Sequence, residues 1–324
     1  MGRSGFCCPR ARLSRSRPDR RKYRRSAGGF LCRTVLAAGA VSRYNFADFD
    51  TEERETMYRL IALDIDGTLI RRDGHVSEEN RRAIQEARSA GCTVVLATGR
   101  SWQEAADIAR EAGCDSAIVC LGGAGVADWA EKRLMENWTM ADRSALEILE
   151  LLQTKDLGLL AFADDRLIVN ARCEAVFRDY PCRAFHETRI LVPDVREYLC
   201  AEGLSVNKIF LLGKPEQLPA LRQELSRWED VYVTCSGPNN LELLGRGVDK
   251  GTGLTALARR LGVPMEDVLC IGDSDNDRGM LAVAGMPVVM GNAVPEIQAL
   301  GRWITDTNER DGVAKAIRHF LALG

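Results

Sequence analysis

Histidine is scarce in this chain: His75, His186 and His319 are the only three, and they stand far apart. None neighbours a cysteine cluster, so the ligand spacing of a zinc centre is absent. Eleven cysteines are present, yet none forms a Cys-x-x-Cys pair, and Cys7-Cys8 is the single adjacency. Cys92, Cys120 and Cys270 fall inside apolar or strand-like runs, where a thiol behaves as a small hydrophobe. A disulfide scaffold is excluded on that pattern, and a reducing, cytoplasmic setting is expected. No apolar run approaches the roughly twenty residues needed to span a bilayer as a helix. No repeat or low-complexity segment follows position 57.

Strong overall charge is also missing, with a formal balance of −2. That near-neutrality hides an asymmetry. Residues 1–56 hold 13 of the 44 Lys/Arg and 6 of the 46 Asp/Glu, which leaves 31 basic against 40 acidic residues beyond. An acidic remainder argues against nucleic-acid binding by the folded part. The basic, Ser-rich residues 1–56 have no apolar periodicity and read as a solvated, disordered extension. Met57 directly precedes the first strand pattern and is the expected start of the protein proper. An organellar transit peptide is the alternative; a secretory signal is disfavoured because Arg33 interrupts the apolar stretch Phe30 to Val41.

What is there begins at Leu60 to Leu63, an apolar run that ends in Asp64-Ile65-Asp66-Gly67-Thr68-Leu69. A short strand ending on acidic residues sets carboxylates at the carboxyl edge of a sheet, where open α/β sheets bind ligands. Strand side chains repeat with period two, so Asp64 and Asp66 can share a side. Gly67 permits a tight turn. Thr93 to Ala97 is a second apolar strand, ending in Thr98-Gly99-Arg100. Val268 to Ile271 is a third, ending in Gly272-Asp273-Ser274-Asp275-Asn276-Asp277. Between them Gly247-Val248-Asp249-Lys250-Gly251 opens a helical pattern.

From Met57 onward, strand and helix patterns alternate, which predicts an α/β protein with a Rossmann-like, doubly wound parallel sheet covered on both faces. Ser77 with Glu78 and Glu79 marks a helix start, and Ala83, Ile84 and Ala87 give that helix an apolar face. Further helices are predicted over Trp102–Ala112 and Ala141–Gln153. The pattern then changes. Leu159 to Ala163 and Leu167 to Val169 flank Asp164-Asp165-Arg166 like a hairpin. Strands at Lys208–Leu212 and Val231–Thr234 flank a helix near Glu216–Trp228. The expected organisation is a core of residues 57–124 and 245–324, with an inserted α+β cap at 125–244.

Asp64, Asp66, Asp273 and Asp277 would crowd negative charge into one crevice, which is unfavourable without positive partners. Lys250 and a divalent cation would resolve it. Hard oxygen ligands favour Mg²⁺.

Paired Asp, then a hydroxyl, then a lysine, then an acidic cluster, in that order, resembles the motif set of the haloacid dehalogenase superfamily phosphatases. Val206-Asn207-Lys208-Ile209-Phe210, Leu241-Glu242-Leu243-Leu244 and Val289-Met290-Gly291-Asn292-Ala293 are similar to the Cof-type branch, whose type B cap lies between the second and third motifs. The resemblance covers Met57 to the C-terminus. It implies that Asp64 attacks phosphorus and forms an aspartyl-phosphate, while Asp66 acts as acid and then base. It implies that Thr98, Gly99 and Arg100 meet phosphate and that Lys250 neutralises developing charge. Asp273 would hold the metal with Asp64 and the Asp66 carbonyl, and Asn276 and Asp277 would complete or orient that shell.

The implied activity is Mg²⁺-dependent hydrolysis of a small phosphate ester under a closing cap. A sugar phosphomutase or a dedicated sugar-phosphate phosphatase is the alternative chemistry. A non-catalytic ligand-binding protein with a relic site is the alternative of another class. Dehalogenation is disfavoured, because that branch lacks the acid supplied here by Asp66. Taken singly, Thr98 reads as a strand-end hydroxyl, Lys250 as a surface lysine, and Arg100 equally as a phosphate contact or surface cover. The three histidines read as structural or solvated, and Trp129 and Trp138 as cap packing. Two positions depart from the Cof pattern. Gly122-Gly123-Ala124 replaces the usual Asn-Gly-Ala, which removes an amide near the phosphate or substrate, and Gly253 stands early in a helix where alanine is usual.

Overall fold

The structure, a computed structural model, describes residues 58–322; the basic extension and Met57 lie outside those residues. Five strands come first: β1 (Leu60–Leu63), β2 (Thr93–Ala97), β3 (Ala117–Cys120), β4 (Gly125–Asp128) and β5 (Arg133–Asn137). Six follow: β6 (Gly158–Ala163), β7 (Arg166–Val169), β8 (Arg189–Leu191), β9 (Val206–Leu212), β10 (Val231–Thr234) and β11 (Asn240–Gly245). The last three are β12 (Val268–Gly272), β13 (Met286–Val289) and β14 (Trp303–Ile304).

The first and last groups form one sheet in the order β14-β13-β12-β1-β2-β3-β4-β5. Its pairs are parallel from β14 through β3, the arrangement expected of strands linked by helical crossovers. β1 is wholly buried, with Leu60 opposite both Val268 and Thr93. Its alternating side chains feed two layers. Ile61 and Leu63 pack with Ala83, Ala105 and Ile317, on helices Glu78–Ser89, Trp102–Ala112 and Gly312–Leu321. Leu60 and Ala62 pack with Leu254 and Leu257, on helix Lys250–Leu261. The sheet is therefore covered on both faces, as the alternating pattern predicts.

Residue 125, the expected start of the cap, begins a strand of the first sheet. β4 pairs antiparallel with β3, and β5 with β4, so residues up to Asn137 extend the first sheet. The reason is local: the chain reverses at Leu121–Gly123, where Leu121 and the two following glycines take positive φ, and returns alongside β3. The inserted unit is built instead on the second sheet, ordered β10-β11-β9-β6-β7-β8.

That sheet also has two faces. Leu159, Ala161, Ile209, Leu211, Leu241 and Leu243 pack with Ile148, Leu199 and Leu221 from helices Asp142–Gln153, Val195–Glu202 and Leu218–Leu225. The alternate residues Leu160, Phe162, Phe210 and Leu244 pack with the first unit's core. The second sheet thus packs helices on one face and the first unit on the other.

Candidate active site

Because β1 lies between β2 and β12, their carboxyl ends set Asp64, Thr98 and Asp273 side by side. Asp64 is 4% exposed. The turn behind it needs Gly67: φ is +83°, and a Cβ there would stand 2.4 Å from Asp273 Oδ2. Thr68 Oγ1 donates to Asp273 Oδ1 at 2.8 Å, tying the first motif to the last.

Lys250 is completely buried and not a surface lysine. Asp249 caps its helix by accepting from the Thr252 amide. Helix and sheet touch backbone to backbone at Gly123, where φ is +99° and a Cβ would lie 1.8 Å from the Asp249 carbonyl oxygen. So placed, Lys250 Nζ donates to Asp64 Oδ1 at 2.5 Å and to Asp277 Oδ1 at 2.6 Å. Asp277 Oδ2 accepts from the backbone amides of Asp273 and Ser274, both at 2.9 Å. The carboxylate oxygens of Asp64, Asp273 and Asp277 lie within 4.8 Å of one another.

Three carboxylates here share one ammonium. Burial pushes the Asp64 carboxyl well above its usual range, against the pull of Lys250 and with the repulsion of Asp277 and Asp273. Burial, then Asp277, pushes Asp273 up to about 7. Burial works against the Lys250 ammonium, but Asp277 and Asp64 outweigh it and hold its proton more firmly than usual. The group is short of positive charge, and its donors are all hard oxygens, so it fits a divalent cation.

Asp66 is not part of that carboxylate group through its side chain. Its two oxygens accept from Arg100 Nε at 2.9 Å and Nη2 at 2.6 Å, a bidentate pair. Arg100 is therefore committed to Asp66, neither surface cover nor, in this state, free for phosphate. Thr98 is buried, and its Oγ1 accepts from the Arg100 amide at 3.1 Å. Asn276 Oδ1 accepts from Ser274 Oγ at 2.9 Å.

Asp64, Asp66, Gly99, Arg100 and Asn276 line one cavity of about 190 Å³. Thr98, Lys250, Asp273 and Asp277 stand behind its wall. The far wall comes from the second unit and carries residues to which the sequence reading assigned no role. Lys208 and Glu242 form an ion pair at 2.5 Å, 2% and 1% exposed. Lys208 Nζ also donates to the Gly99 carbonyl at 2.7 Å, linking the second sheet to the turn after β2. Burial disfavours the Glu242 carboxylate, but Lys208 prevails and holds its pKa below the usual value. A lysine and a glutamate interrupting apolar strands on one face were the available signal.

The remaining expectations fall elsewhere. His75 is exposed, His186 meets the Tyr180 carbonyl, and His319 stacks on Trp303. Trp129 lies under Arg110 on the first unit and does not face the cavity. Burial pushes the Cys120 thiol up to about 12, and those of Cys92 and Cys270 upward as well.

The chain has known relatives. A family model described as haloacid dehalogenase-like hydrolase matches residues 61–317. The 5-amino-6-(5-phospho-D-ribitylamino)uracil phosphatase YcsE of Bacillus subtilis is 30% identical over 270 residues, spanning 81% of this chain and 96% of its own. The HMP-PP phosphatase of Serratia proteamaculans is also 30% identical over 270 residues, spanning 82% and 96%. Among solved structures, a haloacid dehalogenase-like hydrolase from B. subtilis aligns with a TM-score of 0.71 at 28% identity, covering 81% of this chain and 99% of that one.

Proposed function

Because the chain belongs to the haloacid dehalogenase-like hydrolases and is a phosphatase of that family, we propose that it hydrolyses small phosphate monoesters through a phosphoaspartate on Asp64, with Mg²⁺. The observation that carries this reading is the state of Asp64, which lines the cavity. Lys250 holds its Oδ1 at 2.5 Å, while Oδ2 takes no hydrogen bond from the described residues. One oxygen is anchored and the other is free to attack phosphorus in line.

Asp66, two residues on, supplies the proton to the departing alcohol oxygen as the P–O bond breaks, then takes one from the water that hydrolyses the intermediate. Arg100 orients that carboxyl by its bidentate grip. Lys250 offsets the charge that grows on the phosphoryl oxygens, in a site where water is largely excluded. Asp277 holds Lys250 and the backbone of residues 273–274 in place. Asp64, Asp273 and Asp277, with the Asp66 carbonyl, would hold Mg²⁺. The ion would supply charge neutralisation for three crowded carboxylates and for phosphate. Hydrogen bonds from several elements seat the second unit as a cap over the reacting end, among them Lys208 Nζ to the Gly99 carbonyl, Trp102 Nε1 to Asp165 Oδ1 at 3.2 Å, and Thr234 Oγ1 to Asp275 Oδ2 at 3.1 Å.

The test is phosphate release from a panel of phosphorylated metabolites by the full chain, with Mg²⁺, with chelator, and with Asp64→Asn. Metal-dependent release that the substitution abolishes is expected. A folded protein releasing no phosphate from any ester with Mg²⁺ present would refute it.

A further inference from the structure

The cavity has two ends of different chemistry. Its first-unit end is acidic and polar. Its lid end is aromatic: Phe162 and Phe210 come from the inner face of β6 and β9, and Phe177, Tyr180 and Phe185 from the segment between β7 and β8. The last three pack against one another with ring centroids 5.0–5.5 Å apart. Phe162 and Phe210 flank Lys208, whose Nζ lies 5.7 and 5.6 Å from their centroids. Of the polar groups at this end, Lys208 and Glu242 are paired with each other, and Ser236 is the third. Glu242 Oε2 lies 2.5 Å from Lys208 Nζ, and Glu242 Oε1 accepts from Asn276 Nδ2 at 3.5 Å.

A polyol or sugar seated here would bury several hydroxyls against phenyl faces. Each hydroxyl left unmatched weakens binding by about tenfold. A flat ring meets no such penalty and gains by stacking. Size narrows the class further. A cavity of about 150 Å³ accepts one benzene ring, and this one measures about 190 Å³ including the acidic end.

We propose that the cavity selects phosphate esters of a single flat aromatic ring on a short link, the ring stacked between the Phe162–Phe210 wall and the Phe177–Tyr180–Phe185 cluster. This assignment rests on the phosphatase reading only for which end takes the phosphoryl group.

The test separates the two. Binding of benzyl phosphate, cyclohexylmethyl phosphate and glucose 6-phosphate to the Asp64→Asn protein is measured by calorimetry with Mg²⁺, so that no turnover is needed. Benzyl phosphate is expected to bind about tenfold or more tighter than either of the others. Equal affinities, tighter binding of glucose 6-phosphate, or no binding of benzyl phosphate would overturn the proposal. In the double variant carrying Phe210→Leu, a half-buried position, the benzyl to cyclohexylmethyl ratio is expected to fall toward one; an unchanged ratio would also overturn it. If the wild-type protein binds with this preference yet releases no phosphate, the ring assignment stands and the phosphatase reading fails.

Discussion

Lys250→Met is the most informative perturbation of the charge balance at this site. Methionine keeps most of the length of the lysine stem and removes only the ammonium. In the native chain that ammonium is fully buried and donates to Asp64 and Asp277 at 2.5 and 2.6 Å. Removing one partner of a buried ion pair costs about 3–5 kcal/mol, because the remaining charge stays desolvated. At about 2–4 °C per kcal/mol for a protein of this size, the melting temperature should fall by roughly 6–20 °C.

The sign of the pH dependence is fixed by the acids left behind. Asp64 is already pushed up by burial, with Lys250 as the main opposing influence, and Asp273 sits at about 7 for the same first cause. Loss of Lys250 raises both further. An acid whose folded pKa exceeds its unfolded value binds more protons folded, so stability falls as pH rises through that interval. The variant's deficit should therefore be smaller at pH 5 than at pH 8. Scanning calorimetry of the full chain with chelator, across that range, measures it. Adding Mg²⁺ should return part of the loss, since a cation replaces the missing charge. A deficit below about 1 kcal/mol, within the range of exposed ion pairs, or one that does not change with pH, would refute the account.

Three further outcomes follow from the same geometry. Proton competition at Asp273, near pH 7, should raise the Mg²⁺ concentration for half-maximal phosphate release toward tenfold per unit as pH falls below that value; a requirement constant from pH 6 to 8 contradicts it. Arg100→Lys keeps the charge but not the two-pronged grip on Asp66, so kcat/KM should fall by about tenfold or more with little change in melting temperature; unaltered kinetics would remove Arg100 from the site. Gly91→Ala and Gly123→Ala share positive φ, +89° and +99°, but only the second Cβ meets backbone, at 1.8 Å. The first should cost about 1–2 kcal/mol and the second several more, read by urea unfolding; equal losses would mean that the Gly123–Asp249 contact yields freely.

Much of the first unit was legible because its signals are local. The strands Leu60–Leu63 and Thr93–Ala97 and the helix Trp102–Ala112 appear where apolar period and caps put them. Ser101 and Glu104 even form a reciprocal capping box. The pairing of residues 125–137 with the first sheet was not legible, because it depends on a reversal at Leu121–Gly123, and φ at Leu121 is not written in its side chain. Arg100 was ambiguous for a related reason: its partner Asp66 is 34 positions away and reached only when β1 and β2 align. Lys208 and Glu242 escaped because their pairing needs the register of β9 against β11, in which Phe210 opposes Glu242. No helix or strand pattern states that register in advance.

The two ends of the cavity differ in what holds them in place. At the acidic end each charge answers another: Lys250 joins Asp64 to Asp277, and Asp277 in turn fixes the amides beside Asp273. Changing any member leaves a buried charge unpaired, so the residue types there are tightly prescribed. At the lid end Lys208 and Glu242 answer each other in the same way, but the aromatic side chains around them carry no charge. Gly122 stands where an amide side chain is usual in the Cof pattern, and a Cβ there would point 3.3 Å from Leu244 and 3.8 Å from Glu242 Oε2. The side chain missing at Gly122 would thus have reached the same wall that carries Phe162, Lys208 and Phe210. Substitution of the aromatic side chains at this end alters size and hydrogen bonding without stranding a charge, which makes them the place where selectivity can change while the reacting end stays as it is.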